Sequence, residues 1–187
     1  AYRWSCHLLS LLLVALAHQE PGRDVLRTDA VATTAARAAD GFTLSGVKLM
    51  ALDAPSADKL IVSAVIEGED GTSLFLVDRE ASGVVLDGYA LVDGTRAADI
   101  RLTDVAVGTE ALIAGGNSGA GVLAGALHRA SIAMLAQAVG SMEACLTLCG
   151  DYTAERKQFG TAIGSFQAIQ HILADMFVAA HQARSML

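Results

Sequence analysis

The chain has 187 residues, enough for one large domain or two small ones. Hydrophobic residues make up 53% and charged residues 18%, which excludes wholesale disorder, and two prolines with no low-complexity tract exclude a collagen-like or proline-rich linker protein. A net charge of −7, a pI near 5.1 and no basic cluster argue against a grip on the nucleic-acid backbone, and a mean hydropathy of +0.45 implies either surface buried against a partner or a chain that is part of something larger.

The first feature in chain order is an apolar run, LLSLLLVALA from Leu8 to Ala17. It is too short to span a bilayer, which takes about 20 residues. Two readings stand: a buried strand after an ill-defined lead-in over 1–13, or a secretory signal, with Arg3 before the run and Ala15-Leu16-Ala17 as the cleavage site. The second reading would make the protein a secreted β-rich binding module followed by helices.

Residues 14–115 read as a β-domain. Asp-Gly pairs at 40–41, 70–71, 87–88 and 93–94 are hairpin-turn signals, because both residues tolerate positive φ. Between them lie strand candidates at Phe42–Met50, Leu60–Ile66, Ser73–Val77, Val84–Leu86 and Arg101–Val107, the last with a slip in its alternation near Asp104. Leu60–Ile66 is almost continuously apolar and belongs in the centre, covered on both faces. The pattern predicts an antiparallel sandwich or barrel.

Residues 116–187 read as part of a helical domain, giving an α+β fold with two long antiparallel helices of an incomplete bundle. Ile132, Leu135, Ala136, Val139, Met142, Leu146 and Cys149 recur at helical steps over Val122 to about Gln158. Alanines on the other side predict a helix covered on most sides. Gly160 breaks the pattern, Ser165 is a candidate cap, and a second apolar face runs through Phe166, Ile169, Leu173, Met176, Phe177 and Ala180. That face is unfinished at Leu187, as though the chain were cut there. Cysteine is sparse (Cys6, Cys145 and Cys149), which fits a reducing, cytoplasmic setting and buried free thiols rather than a disulfide framework. His7, His18, His128, His171 and His181 share no ligand spacing, so no metal site is expected.

The informative segment is Tyr152 to Met176. A guanidinium at a helix end favours the helix dipole, and at a tight turn it can also fork onto a phosphate. The blocks Arg156-x-x-Phe159-Gly160, Ile163, Phe166-Gln167 and Leu173-Ala174-Asp175-Met176 resemble the acyl-CoA dehydrogenase family. Upstream, Ala17-x-x-Glu20, Thr34-Ala35, Gly41, Leu44-x-Gly46-x-Lys48, Ala57-Asp58 and Leu102-x-Asp104-Val105-x-Val107 fall in the order of that family's middle β-domain. The resemblance implies FAD held at a subunit interface of a homo- or hetero-oligomer. By that resemblance Arg156 pairs with the pyrophosphate, Gln158 and Phe159 line the adenosine half, and Phe166 and Gln167 hold it from the next helix. It also implies α,β-desaturation of an acyl-CoA thioester: a proton leaves the α-carbon, a hydride leaves the β-carbon for the flavin, and electrons pass to an electron-transfer flavoprotein.

Three departures stand out. Met50-Ala51-Leu52 replaces a Trp-Ile-Thr type stretch that packs on the flavin ring. Glu20-Pro21-Gly22-Arg23-Asp24 is shorter than the usual Glu-Pro-x-x-Gly-Ser-Asp segment. No catalytic Glu is visible: in most of the family it lies well beyond the position of Leu187, and the alternative position near the start of the long helix reads Leu127-His128-Arg129-Ala130. No catalytic residue is assigned, and a non-catalytic partner subunit of a mixed oligomer remains the alternative.

Overall fold

The computed structural model describes residues 12–24 and 27–187. Arg3, Cys6, His7 and residues 8–11 of the N-terminal apolar run lie outside the described residues. The fold is α+β, and the chain divides at Ala124/Gly125 into two compact units.

The first unit is an eight-stranded mixed sheet around one apolar core. Its strands are β1 (Val14–Ala17), β2 (Thr34–Ala38), β3 (Gly41–Leu52), β4 (Lys59–Ile66), β5 (Ser73–Asp78), β6 (Val84–Ala90), β7 (Arg96–Gly108) and β8 (Leu112–Ala114). They are ordered β6-β7-β3-β2-β4-β5-β8, with β1 beside β4. Most pairs are antiparallel. The exceptions are β1 and β2, which both run parallel to β4, so the sheet is mixed rather than purely antiparallel. Within the described part of the N-terminal run, 12–17, the segment Val14–Ala17 is a strand whose Ala15 and Ala17 are buried. β4 is central and Leu60, Val62, Ala64 and Ile66 are fully enclosed. Phe42 and Phe75 meet edge-on at 5.1 Å in the middle of the core.

The alternation slip near Asp104 is a β-bulge. Leu44 pairs with Val105 and Gly46 with Leu102, so Ser45 alone faces Thr103 and Asp104. Asp104 sits at φ 49, and its amide donates to Ser45 Oγ at 3.1 Å. Asp93-Gly94 lies in the connection from β6 to β7, but there Gly94 alone has positive φ and the loop is longer than two residues, while Asp87-Gly88 lies within β6. There the ladder with β7 runs unbroken from Val84 to Ala90. A Cβ at Gly88 would meet the Pro55 ring at 3.4 Å, an ordinary van der Waals contact, so neither a turn nor close packing requires glycine there.

Helix α1 (Asn117–Glu155) begins in the first unit. Its first turn is seated on the chain entering β5: a Cβ on Gly119 would stand 2.0 Å from the Thr72 carbonyl oxygen. Alanine is the better helix former by about 1 kcal/mol, yet overpacking a backbone contact costs about 1–3 kcal/mol. Gly119→Ala is therefore expected to lower the urea midpoint, with a net loss of up to about 2 kcal/mol; a raised midpoint would contradict this seating.

The second unit carries the rest of α1, a two-residue-per-strand hairpin of β9 (Lys157–Gln158) and β10 (Thr161–Ala162), and helix α2 (Gln167–Met186). The helices are antiparallel: Gly164 lies against Thr153, and Arg184 pairs with Glu143. Val139 and Ala180 are buried, but Ile132, Leu135, Met142, Leu148, Phe177 and Met186 are exposed. Within this unit α1 is thus uncovered on most sides rather than enclosed, because one neighbouring helix shields only one stripe. For the same reason Cys145 is exposed and Cys149 half-buried, not the buried thiols expected. Ser118–Glu155 is long and apolar enough, by length and composition, to cross a bilayer, a measure that core helices also meet.

Candidate functional site

The corner of the second unit is built by local chemistry. α1 ends at Glu155, and Arg156 keeps the last turn by donating its amide to the Tyr152 carbonyl at 2.9 Å. Gln158 and Thr161 then face each other across a hairpin whose two central residues, Phe159 and Gly160, have φ 55 and 83. Two positive φ values in a two-residue loop make a type I′ turn, which glycine takes freely and phenylalanine does not. The turn thus holds Phe159 out, 94% exposed, with Phe166 edge-on to it at 6.3 Å. Phe166 is also the N-cap residue of α2 and supplies no side-chain cap. Ser165 does not cap: its hydroxyl donates to the Ala162 carbonyl at 2.7 Å inside the short helical turn Ile163–Ser165.

The Arg156 side chain is exposed and has no hydrogen-bonded or ion-paired partner among the described residues. Gln158 donates its amide only to the neighbouring Lys157 carbonyl at 2.9 Å, and Gln167 is exposed at the start of α2. The structure therefore brings Arg156, Gln158, Phe159, Phe166 and Gln167 to one corner, with a free guanidinium, two amides and two rings at the surface. That set suits an anionic, ring-bearing ligand.

The first unit presents a second feature at Met50. Lys48 pairs with Ile100 and Ala51 with Ala98, so β3 bulges at Leu49–Met50. Met50 sits at φ 47; its amide donates to Asp99 Oδ1 at 2.9 Å, and the Tyr89 hydroxyl donates to the same oxygen at 2.9 Å. Leu49 donates to the Gln19 carbonyl at 2.8 Å. Met50 and Leu52 are exposed and Ala51 is buried, so this stretch offers apolar side chains and no hydroxyl.

Beside that bulge lies a buried polar cluster to which the sequence reading assigned no role. The Lys48 ammonium is wholly buried and donates to Glu20 Oε1 at 2.7 Å and Ser63 Oγ at 3.0 Å. Glu20 Oε1 also accepts from the Thr33 amide at 2.9 Å and the Thr33 hydroxyl at 2.6 Å, while Oε2 accepts from the Ala32 amide and has Arg23 at 3.4 Å. Burial by itself raises the Glu20 carboxyl, but bonds from Lys48, Thr33 and Ala32 and the ammonium charge outweigh it and hold it at about 2. Burial pushes Lys48 down to about 8, against the Glu20 hydrogen bond and charge. His18 is buried here too, 2.9 Å from Ser63 Oγ. An open cleft of ≈ 270 Å³ bordered by Glu20, Pro21, Ala32, Thr33, Gly46 and Val47 flanks the cluster. No three His, Cys, Asp or Glu groups converge on a metal-sized space among the described residues.

Residues 117–187 match the family model described as the acyl-CoA dehydrogenase C-terminal domain. Over 180 residues the chain is 32% identical to the 2-methylacyl-CoA dehydrogenase, mitochondrial, of Solanum tuberosum, covering 91% of this chain and 43% of the relative. It superposes on a glutaryl-coenzyme A dehydrogenase solved with glutaryl-CoA with TM-score 0.82 and 29% identity, over 91% of this chain and 44% of that one. Over most of its length the chain matches acyl-CoA dehydrogenases in both sequence and fold. A structure of PigA with FAD and proline is also similar, with TM-score 0.86 and 26% identity over 94% of this chain and 47% of the other. The chain spans about half the length of the curated relatives it matches.

The β-domain blocks of the resemblance fall in the first unit, and the Arg156–Met176 blocks fall in the second. Lys48 and Glu20 belong to the blocks that carried the resemblance. The signal that marks Lys48 as buried is its parity with Phe42, Leu44 and Gly46 along β3, which points it inward.

Proposed function

We propose that this chain works as the β-domain and leading helices of an FAD-dependent protein that desaturates an acyl-CoA thioester between its α- and β-carbons. The observation that carries the reading is the corner at Arg156: a surface guanidinium without a partner among the described residues, beside a phenyl ring displayed by a left-handed backbone. That arrangement fits the pyrophosphate and adenosine of FAD, with Arg156 on the phosphates, Gln158 and Phe159 along the adenosine half, and Phe166 and Gln167 supporting it from α2. The similarity to PigA, whose structure is described as holding FAD, supports the same cofactor. At Met50-Ala51-Leu52 the fit is apolar only, so ring contact there comes from thioether and aliphatic groups without a hydroxyl bond. Bound FAD supplies the hydride acceptor; this chain's residues bind and orient it, and none is assigned as the base.

The partners in this reading are an acyl-CoA substrate, an electron-transfer flavoprotein that takes the electrons, and further subunits of a homo- or hetero-oligomer. α1 is then a bundle helix rather than a membrane span, its exposed apolar residues meeting other helices. Charge-assisted hydrogen bonds contribute about 1.5–3 kcal/mol, so Arg156→Ala is expected to weaken FAD binding about 10- to 100-fold. The measurement is flavin absorbance retained after exhaustive dialysis, with circular dichroism to confirm folding. Equal flavin content in variant and parent would defeat the assignment.

A further inference from the structure

β4 is bordered on one side by two short strands laid end to end. β1 pairs with Lys59–Val62 and β2 with Val65–Ile66, which leaves a break opposite Ser63 and Ala64. His18 follows the last residue of β1 and Thr33 precedes the first of β2. A break inside a sheet needs polar groups to satisfy one another. His18, Ser63, Lys48, Glu20 and Thr33, all buried, do so here.

The protons along this chain of groups can be assigned. The Lys48 ammonium is donor-only, so Ser63 Oγ accepts from it. Ser63 has one hydroxyl hydrogen, and His18 Nδ1 lies 2.9 Å away to accept it. Neutral His18 then carries its proton on Nε2, and the ring also bonds the Arg27 backbone. An imidazolium would place a second donor on Ser63 Oγ and a second positive charge beside buried Lys48.

We infer that this chain of groups is a proton-sensitive latch: neutral His18 holds the Glu20 turn against Ala32, Thr33 and β3, and protonation of His18 loosens it. The inference is independent of FAD and of the proposed activity. The charged groups facing His18 are Lys48 from β3 and Glu20 from the turn, with Arg23 beyond Glu20; β4 contributes only neutral Ser63. Burial first, and Lys48 second, lower the affinity of His18 for a proton, against the Arg27 backbone bond and the Glu20 charge. An opened His18 takes its proton below its ordinary 6.5 while the seated one resists, so opening is favoured as pH falls below 6.5. The gain is up to about tenfold per pH unit until the depressed value is reached.

The test is hydrogen exchange at the Ala32, Thr33 and Leu49 amides of the full chain between pH 7.5 and 5, corrected for intrinsic exchange. Protection is expected to be level above 6.5 and to fall below it by up to about tenfold per unit. In His18→Gln and in His18→Asn, which are neutral throughout, the slope should vanish at these amides. The two variants serve as alternates should either misfold. Level protection down to pH 5 in the parent chain, or an unchanged slope in a folded variant, overturns the latch.

Discussion

Replacing Lys48 with methionine is expected to lower unfolding free energy by about 3–5 kcal/mol, the usual result of removing one partner from a buried pair. Methionine fills much of the same space, so the loss is electrostatic rather than a cavity. Glu20 would remain enclosed, with the Thr33 and Ala32 donors but without the ammonium at 2.7 Å. Ser63 would lose the donor that directs its own hydrogen to His18. The double variant Glu20→Gln/Lys48→Met removes both charges and should be less destabilised than the sum of the two single variants. Urea unfolding followed by the β-sheet signal measures all four corners of this cycle. A loss under about 1 kcal/mol for Lys48→Met would show that the pair contributes little beyond packing.

The comparison between sequence and structure turns on range. Features set within a few residues were legible. The slip near Asp104 is the bulge opposite Ser45, the continuous apolar run at Leu60–Ile66 is the central strand, and the Arg156–Gln167 block is one corner. Features set by distant partners were not. β2 is Thr-Ala-Ala-Arg-Ala, with little strand propensity of its own; it forms because Phe42–Ser45 returns on it and β4 takes its other edge. Asp87-Gly88 carries a turn signal that the unbroken ladder with β7 overrides. Ser165 has a capping side chain, but the helical turn before α2 claims its hydroxyl, leaving Phe166 at the cap position. In the candidate site the corner residues come from one contiguous segment, so a motif reveals them. The Glu20–Lys48 pair joins residues 28 apart, and only their shared enclosure shows that they act together. The inward parity of Lys48 was available in the sequence, but its partner was not.

Acid should destabilise the β-domain in a window that belongs to Glu20. Its carboxyl lies at about 2 in the folded chain against an ordinary 4.5. Because the folded value is depressed, the stabilisation is complete above about pH 5 and is lost as pH falls toward 2. The span corresponds to about 3 kcal/mol, since each unit is worth about 1.4 kcal/mol and Glu20 is almost fully enclosed. Stability measured by urea at successive pH values should therefore fall steeply between pH 5 and 2. Glu20→Gln should be less stable at pH 7, where the carboxylate bonds of the parent are intact, and should show a flatter acid limb. This window is separate from that of His18, which opens below 6.5, so the two groups can be resolved in one titration. Hydrogen exchange at Ala32 and Thr33 would register His18 first, and global unfolding would follow as Glu20 takes its proton. An acid limb of equal steepness in Glu20→Gln would place the responsible carboxylate elsewhere in the chain.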